Sequence, residues 1–411
     1  MTKSPQETNC VNTKYDRYGG WTRLKGRRTG FFHTEQIDGR WWLVSPEGHA
    51  FLSKGVCYIN WHPERPGSPP VPPADPAAWA RLTARQLRGW NFNTSGSWSE
   101  PEFANAEFVY TPGLELVASA VPDLWLKAKT FDVFSEQMRQ TVDETARRKI
   151  AGHADDPWLL GYFTDNELRW DATGQVNESL LESYLKLPAE SAGRQQAESF
   201  LAARGRALPN ATAQDTDDFL ELVSAQYGKL THEAIRRYDA NHMIIGCRFG
   251  GHAPDPVLRG VGRYFDVISF NRYSQDAPLD KLRHLADVTG KPTMVTEFSF
   301  KAMDSGLPNT KGAGEAVATQ KDRADGFERY VTGLMTLPSC VGYHWFQYRD
   351  QPQEGRALDG ENSNYGLATI DGRPWETLTD HMRDINGRIE EIRTRKCTSS
   401  AKVVVLGPEV K

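Results

Sequence analysis

Leu159-Leu160-Gly161-Tyr162-Phe163-Thr164-Asp165-Asn166-Glu167 carries the clearest architectural signal in the chain. It starts as a short apolar run of the kind that forms a strand buried on both faces, and it ends in an amide and a carboxylate. Thr293-Met294-Val295-Thr296-Glu297-Phe298 repeats the plan. A carboxylate at the end of a buried strand is costly unless it is solvated or partnered, so two of them need a reason. Parallel strands alternating with helices put their C-terminal ends on one face, where both glutamates would meet one cleft.

Working outward, strand-like runs end near Asn60, Thr94, Thr111, Glu167, Phe249, Tyr273, Phe298 and Tyr348. Amphipathic helix patterns lie between several of them, at about 133–151, 217–238, 279–288 and 319–337. Asp75-Pro76 opens another as cap and first-turn proline, and Gly89 closes it. Eight such strands predict an α/β fold, a (β/α)8 TIM barrel over residues 29–396. Before it, Phe31–Ile37 and Arg40–Val44 around Asp38-Gly39 predict a short N-terminal β-hairpin. Loop insertions are expected after strand 1 (residues 61–76, with seven prolines), strand 4 (171–213) and strand 7 (303–314). Residues 1–28 read as a flexible N-terminal arm. Trp375–Lys396 reads as one charged helix, and 397–411 as a C-terminal tail with a strand-like Val403–Leu406.

The chain has 411 residues, 49 Lys+Arg against 53 Asp+Glu, and a net charge of −4. That balance offers no electrostatic case for nucleic acid or an anionic membrane, and no apolar run is long enough to span one. Twelve Trp and fourteen Tyr suit a cleft that stacks on sugars. Cys57, Cys247 and Cys340 fall in or beside apolar runs and, with Cys10 and Cys397, make an odd, scattered set that reads as free thiols. The polar stretch Met1–Arg17 lacks the apolar core of a signal peptide, so a cytoplasmic location is expected, or secretion if a leader has been removed. No HExxH, CxxC or EF-hand pattern occurs, and Pro292 follows the Gly290-Lys291 that could have ended a phosphate loop, so no cofactor or metal is expected.

Two carboxylates facing one cleft are the minimum machinery for cleaving a glycosidic bond, and a retaining enzyme holds them about 5–5.5 Å apart. Glu167 and Glu297 are that pair, with Asn166 placed to bind a sugar 2-hydroxyl. Arg248, on the fifth strand, is placed to hold a carboxylate or a sugar hydroxyl; its guanidinium needs an acidic partner inside the fold either way, and holding Glu297 ionised would supply one. Asn60 follows the first strand, Asn93 and Trp98 follow the second, and all three are candidates for sugar contact. His344 reads as a satisfied core histidine, while Gln347 and Asp350 organise the rim after the eighth strand and are candidates for contact with substrate.

Gly161–Glu167 and Val341-Gly342-Tyr343-His344-Trp345-Phe346-Gln347-Tyr348-Arg349-Asp350-Gln351-Pro352, continued by Asp359-Gly360-Glu361-Asn362 and Tyr365-Gly366-Leu367, resemble glycoside hydrolase family 50, the β-agarases of clan A. The resemblance covers about residues 30–390. It implies Glu167 as acid/base and Glu297 as nucleophile, Asn166 on the 2-hydroxyl, and Tyr273 hydrogen-bonded to the nucleophile. It further implies Trp345 as the platform under the −1 sugar and Glu361 among the substrate-binding residues. The implied activity is retaining cleavage of β-galactosidic linkages in agarose- or porphyran-type oligosaccharides, and the proline-rich and strand-4 insertions, which would narrow one end of the cleft, favour exo action. A β-galactosidase acting on non-algal oligosaccharides is the alternative within the class. A non-catalytic carbohydrate-binding barrel would be expected to lack one glutamate. An aldolase-like barrel would need Lys54 as its Schiff-base residue.

Overall fold

The computed structural model describes residues 14–62, 64–68, 71–124, 127–172 and 176–395. β1 (Trp21–Lys25), β2 (His33–Ile37), β3 (Arg40–Val44) and β4 (His49–Phe51) form an antiparallel sheet in the order β1-β4-β3-β2. The β2–β3 pair is the expected hairpin, turning on Asp38 and Gly39, both with positive φ as a two-residue hairpin loop demands. The element is larger than a hairpin. Trp21, inside the stretch read as an arm, stacks on Trp42 at 6.5 Å between centroids, and this anchors β1. Residues 1–13 and the 397–411 tail, with Cys10, Cys397 and Val403–Leu406, lie outside the described residues.

Nine further strands build the parallel layer: β5 (Ser53–Cys57), β6 (Thr94–Ser95), β7 (Val109–Tyr110), β8 (Gly161–Phe163), β9 (Met243–Gly246), β10 (Phe249–Gly250), β11 (Ile268–Asn271), β12 (Thr293–Phe298) and, beyond the small β13–β14 pair (Lys301–Ala302 and Ala316–Val317), β15 (Cys340–Phe346). Seven of them form one parallel sheet, β10-β11-β12-β15-β5-β6-β7, and β8 pairs with β9 in a second. Among the described residues the ladders do not close into a continuous barrel. β7 and β8 meet only through isolated bridges, Tyr110 with Leu159 and Gly113 with Phe163. Left-handed Gly246 and Arg248 interrupt the chain between β9 and β10, where a ladder would otherwise continue.

The helices are α1 (Pro76–Gly89), α2 (Glu136–Ile150), α3 (Leu180–Leu185), α4 (Ala192–Ala202), α5 (Ala213–Tyr238), α6 (Asp255–Val261), α7 (Leu279–Thr289), α8 (Gln320–Leu334), α9 (Glu376–Asn386) and α10 (Ile389–Thr394). Their starts follow capping chemistry. Asp75 accepts from Ala78 N at 2.8 Å beside Pro76, and Thr212 and Thr319 form reciprocal boxes with Asp215 and Asp322; each cap is worth about 1 kcal/mol. The single helix expected over 375–396 is two, because the chain leaves helical geometry at Arg388, where φ is −125° and ψ 7°. Cys57, Cys247 and Cys340 are free and buried, as read from sequence. One apolar cluster gathers Val109, Leu160, Phe163, Met243, Ile245, Met294 and Val341 from both parallel sheets, with Leu43 and Phe51 of the antiparallel sheet packed among them.

Candidate active site

Glu297 is the fifth residue of β12, at its C-terminal end, and only 5% exposed. Its two oxygens are held differently. Arg248 Nη2 donates to Oε1 at 2.7 Å, and the Tyr273 hydroxyl donates to Oε2 at 2.7 Å. Arg248 is itself fixed by the Thr296 carbonyl at 3.0 Å and by the Trp98 ring, 4.2 Å from its guanidinium carbon. Truncating one member of such a buried pair costs about 3–5 kcal/mol, so the three side chains act as one unit.

Glu167 follows β8 with φ +47°, a left-handed turn that swings its carboxylate off the strand. Asn271 Nδ2 donates to its Oε1 at 2.9 Å. Gly250 makes room for it: a Cβ there would lie 2.8 Å from Glu167 Cδ. Burial raises Glu167 above the usual carboxylate range, against the Asn271 hydrogen bond and the charge of Arg248. Burial also pushes Glu297 up to about 7, with Arg248 pulling it down and the charge of Glu167 pushing it up. Glu297 therefore has a cation in contact to favour its ionised form, while Glu167 has only a neutral amide.

Both glutamates line one cavity of about 530 Å³. Asn166, Tyr273, Trp98 and Glu361 of the sequence-derived set line it as well. Arg248 stands behind Glu297, as expected of a residue holding it. The remaining candidates lie elsewhere. Trp345 is fully buried: its indole N–H donates to the Tyr365 carbonyl at 2.8 Å, and its ring packs on Phe298 and Phe327. Strand alternation points it away from the cavity and turns Phe346 toward it, so the aromatic wall is Phe346. Asn93 precedes β6 rather than following it, and its amide ties Lys54 N and the Leu52 carbonyl at the opposite end of the strands. Asn60 is buried and does not line the cavity. Gln347 donates to the Arg349 carbonyl, and Asp350 accepts from Asn364, Gly366 N and the Trp375 indole, so both brace the rim without reaching the cavity. His344 is a core residue bonded to Ser53 at 2.8 Å, its pKa lowered to about 3 by burial.

Sequence reasoning missed Tyr58, Glu115, Arg356 and Asp359 on the cavity wall, and Asn271 behind Glu167. Glu115 is a third carboxylate in the cavity, raised by burial and hydrogen-bonded to Trp98. It rides on a loop pinned by Asp165, which accepts from Val117 N and Ala118 N at 2.9 and 3.0 Å. Arg356 grips Asp359 through two hydrogen bonds of 2.8 and 2.6 Å and pairs with Glu361 at 3.1 Å. Arg356 and Asp359 stand at no strand end, and of the two only Asp359 fell in a stretch that carried the resemblance, Asp359-Gly360-Glu361-Asn362.

No protein-family model matches the chain. Beta-agarase B of Vibrio sp. (strain JT0107) is 27% identical over 493 residues, which take in 92% of this chain and 50% of that protein. The chain spans about half the length of the curated relatives it matches. Among solved structures, that of the agarase AgWH50C superposes with a TM-score of 0.80 at 26% identity, over 93% of this chain and 67% of that one. The BpGH50 crystal structure shares the fold, with a TM-score of 0.77 at 22% identity over 92% of this chain and 86% of its own. Among the described residues no helix is long and apolar enough to cross a membrane.

Proposed function

We propose that this chain, kin to the β-agarases of glycoside hydrolase family 50, is a retaining glycoside hydrolase that cleaves β-galactosidic linkages in agarose-type oligosaccharides by double displacement. The observation that carries the reading is the pair of unlike carboxylates on one cavity wall, Glu297 clamped by Arg248 and Tyr273, and Glu167 without a cation in contact. The same reading takes the eight parallel strand positions as a (β/α)8 barrel and residues 29–396 as one catalytic domain. The single bridges between β7 and β8 and the shared apolar cluster support it.

In the first step Glu167 gives its proton to the glycosidic oxygen as the bond from that oxygen to the anomeric carbon breaks. The Glu297 carboxylate forms an ester bond to the same carbon. Glycosylation removes the charge of Glu297, which lowers the proton affinity of Glu167 and makes it a base. In the second step water gives a proton to Glu167 while its oxygen bonds the anomeric carbon, and Glu297 leaves as a carboxylate. Asn166 binds the 2-hydroxyl, Tyr273 steadies the nucleophile, and Phe346 and Trp98 offer apolar surface to the sugar.

Two features narrow the substrate. Six carboxylates (Glu115, Asp123, Glu167, Glu297, Asp359 and Glu361) and a single guanidinium, Arg356, line the cavity, and Arg356 is already engaged by two of them. That wall repels sulfate, which favours neutral agarose-type over porphyran-type sugars. Glu64, on the proline-rich segment, accepts from the Tyr58 hydroxyl, and its carbonyl accepts from Ala357 N, which ties the segment to the rim loop at one side of the cavity. This supports exo action.

Product analysis on agaro- and neoagaro-oligosaccharides, porphyran fragments and an aryl β-galactoside, beside Glu297→Gln, tests the reading. The expected result is short neutral products of retained configuration, lost in the variant. Inversion at the anomeric carbon would refute double displacement, and preference for the sulfated fragments would refute the neutral-sugar assignment.

A further inference from the structure

Asn271 ends β11 at 2% exposure and makes three hydrogen bonds that join both glutamate-bearing segments. Its Nδ2 donates to Glu167 Oε1 at 2.9 Å and to Asn166 Oδ1 at 3.2 Å. Its Oδ1 accepts from the Thr296 hydroxyl at 2.8 Å, one residue before Glu297. The Glu167 carboxylate, when ionised, can only accept, which turns the Asn271 NH2 toward it and leaves the amide oxygen facing the Thr296 hydroxyl, a group able to donate.

We infer that Asn271 is the positioning residue of the acid/base, its amide directing the proton of Glu167 to Oε2 and the N–H groups of Asn166 toward the cavity. A proton on Oε1 would face the N–H of Asn271, so Oε2 is the oxygen that can carry it. Asn166 presents its oxygen to Asn271, which leaves its NH2 as the end offered to a sugar oxygen. Turning the Asn166 amide over would set its NH2 against the Asn271 NH2, donor against donor. Beyond Asn271, the charged and titratable groups that act on Glu167 are Arg248, Glu361 and Glu297. None of them can set the direction of a proton as a contacting amide does.

The assignment rests on Glu167 as acid/base, yet its central test does not need turnover. Carboxyl-labelled glutamate in the intact chain, titrated by carbon NMR with Glu167→Gln to assign the signal, reads the proton affinity of Glu167 directly. Asn271→Ala removes a donor to the charged form and should raise the Glu167 midpoint by about one unit. Asn271→Asp adds a like charge and should raise it further. Thr296→Val, which keeps the shape of the side chain, should raise it by less, and it carries the test if the Asn271 variants fail to fold. A Glu167 midpoint unmoved in folded variants overturns the inference. In turnover, Asn271→Ala should lower kcat tenfold to a hundredfold on a poor leaving group and far less on an activated aryl galactoside, whereas an equal fall on both would mark a merely structural role. The titration stands even if the proposed substrate is wrong, so the two failures are distinguishable.

Discussion

Two buried cation–carboxylate pairs of equal length, 2.7 Å, stand at opposite ends of the parallel strands. Arg248–Glu297 is at the C-terminal end, and Lys54–Glu390 is at the N-terminal end, where Lys54 is the second residue of β5 and Glu390 lies in the first turn of α10. Both carboxylates are satisfied twice, Glu297 by Arg248 and Tyr273, Glu390 by Lys54 and the Tyr15 hydroxyl at 2.9 Å. What separates them is what lies on the other side. Glu297 forms part of a cavity wall beside a second carboxylate, and burial and that neighbour drive its pKa up. Lys54 has Glu390 and the Asn386 carbonyl as partners and belongs to the scaffold. Its place at a strand start also takes away the one lysine that an aldolase-like reading needed. A buried ion pair alone says little about function; a buried ion pair that shares a cavity with an unpaired acid says a good deal.

The comparison can be broken by exchanging the expected phenotypes. Glu297→Gln should lower kcat on the order of 10⁴-fold or more, as loss of a nucleophile does. It should also change how stability depends on pH. A carboxyl raised from 4.5 to about 7 contributes stability below its unfolded pKa that is lost as pH rises through 7. Wild type should therefore lose thermal stability relative to the variant between pH 5 and pH 8, and a constant difference across that range would contradict the burial of Glu297. Lys54→Met should do the reverse. It leaves Glu390 uncompensated and should cost about 3–5 kcal/mol of stability, with kcat nearly unchanged where the protein remains folded. A catalytic collapse in a folded Lys54 variant would put function at the wrong end of the strands.

The difference between the two ends also explains what the sequence made legible. Strand positions, the two strand-end glutamates and the contact of Arg248 with Glu297 followed from apolar runs and from the cost of a buried charge, which are local signals. Loop geometry was not legible. Among the described residues, eleven non-glycine residues have positive φ, and six of them (Tyr58, Trp98, Glu115, Asp123, Glu167 and Arg248) line the cavity or hold Glu297. Nothing in composition or periodicity marks such turns, so Glu115 and Tyr58 went unnoticed and Asn93 was read on the wrong side of its strand. Asn271 was hidden for a different reason: its role depends on three residues distant in the chain converging on one amide.

A smaller effect sharpens the electrostatic half of the comparison. If Arg248 holds Glu297 ionised, the acid limb of kcat/KM in the free enzyme follows Glu297 and lies near pH 7. Arg248→Met removes the lowering influence, so the limb should move up by about one unit, and activity should fall about tenfold at pH 6 but only about twofold at pH 8. A limb that stays in place would mean that Tyr273, not Arg248, controls the charge of Glu297.

The smallest effect separates two adjacent aromatic residues. Trp345 and Phe346 alternate along β15, the first packed on Phe298 and Phe327, the second on the cavity wall. Phe346→Ala should raise KM about tenfold by removing apolar surface from the sugar's path, with a lesser change in kcat. Trp345→Phe leaves the cavity intact and removes the donor to the buried Tyr365 carbonyl, a loss of about 1–3 kcal/mol that should appear in the melting temperature and not in KM. If Trp345→Phe raised KM while the melting temperature held, substrate would have to reach Trp345. Strand β15 would then need to turn by one residue when sugar binds, shifting every side chain on it to the opposite face. His344, bonded to Ser53 at 2.8 Å in the core, argues against such a turn, because the same shift would strip it of that partner.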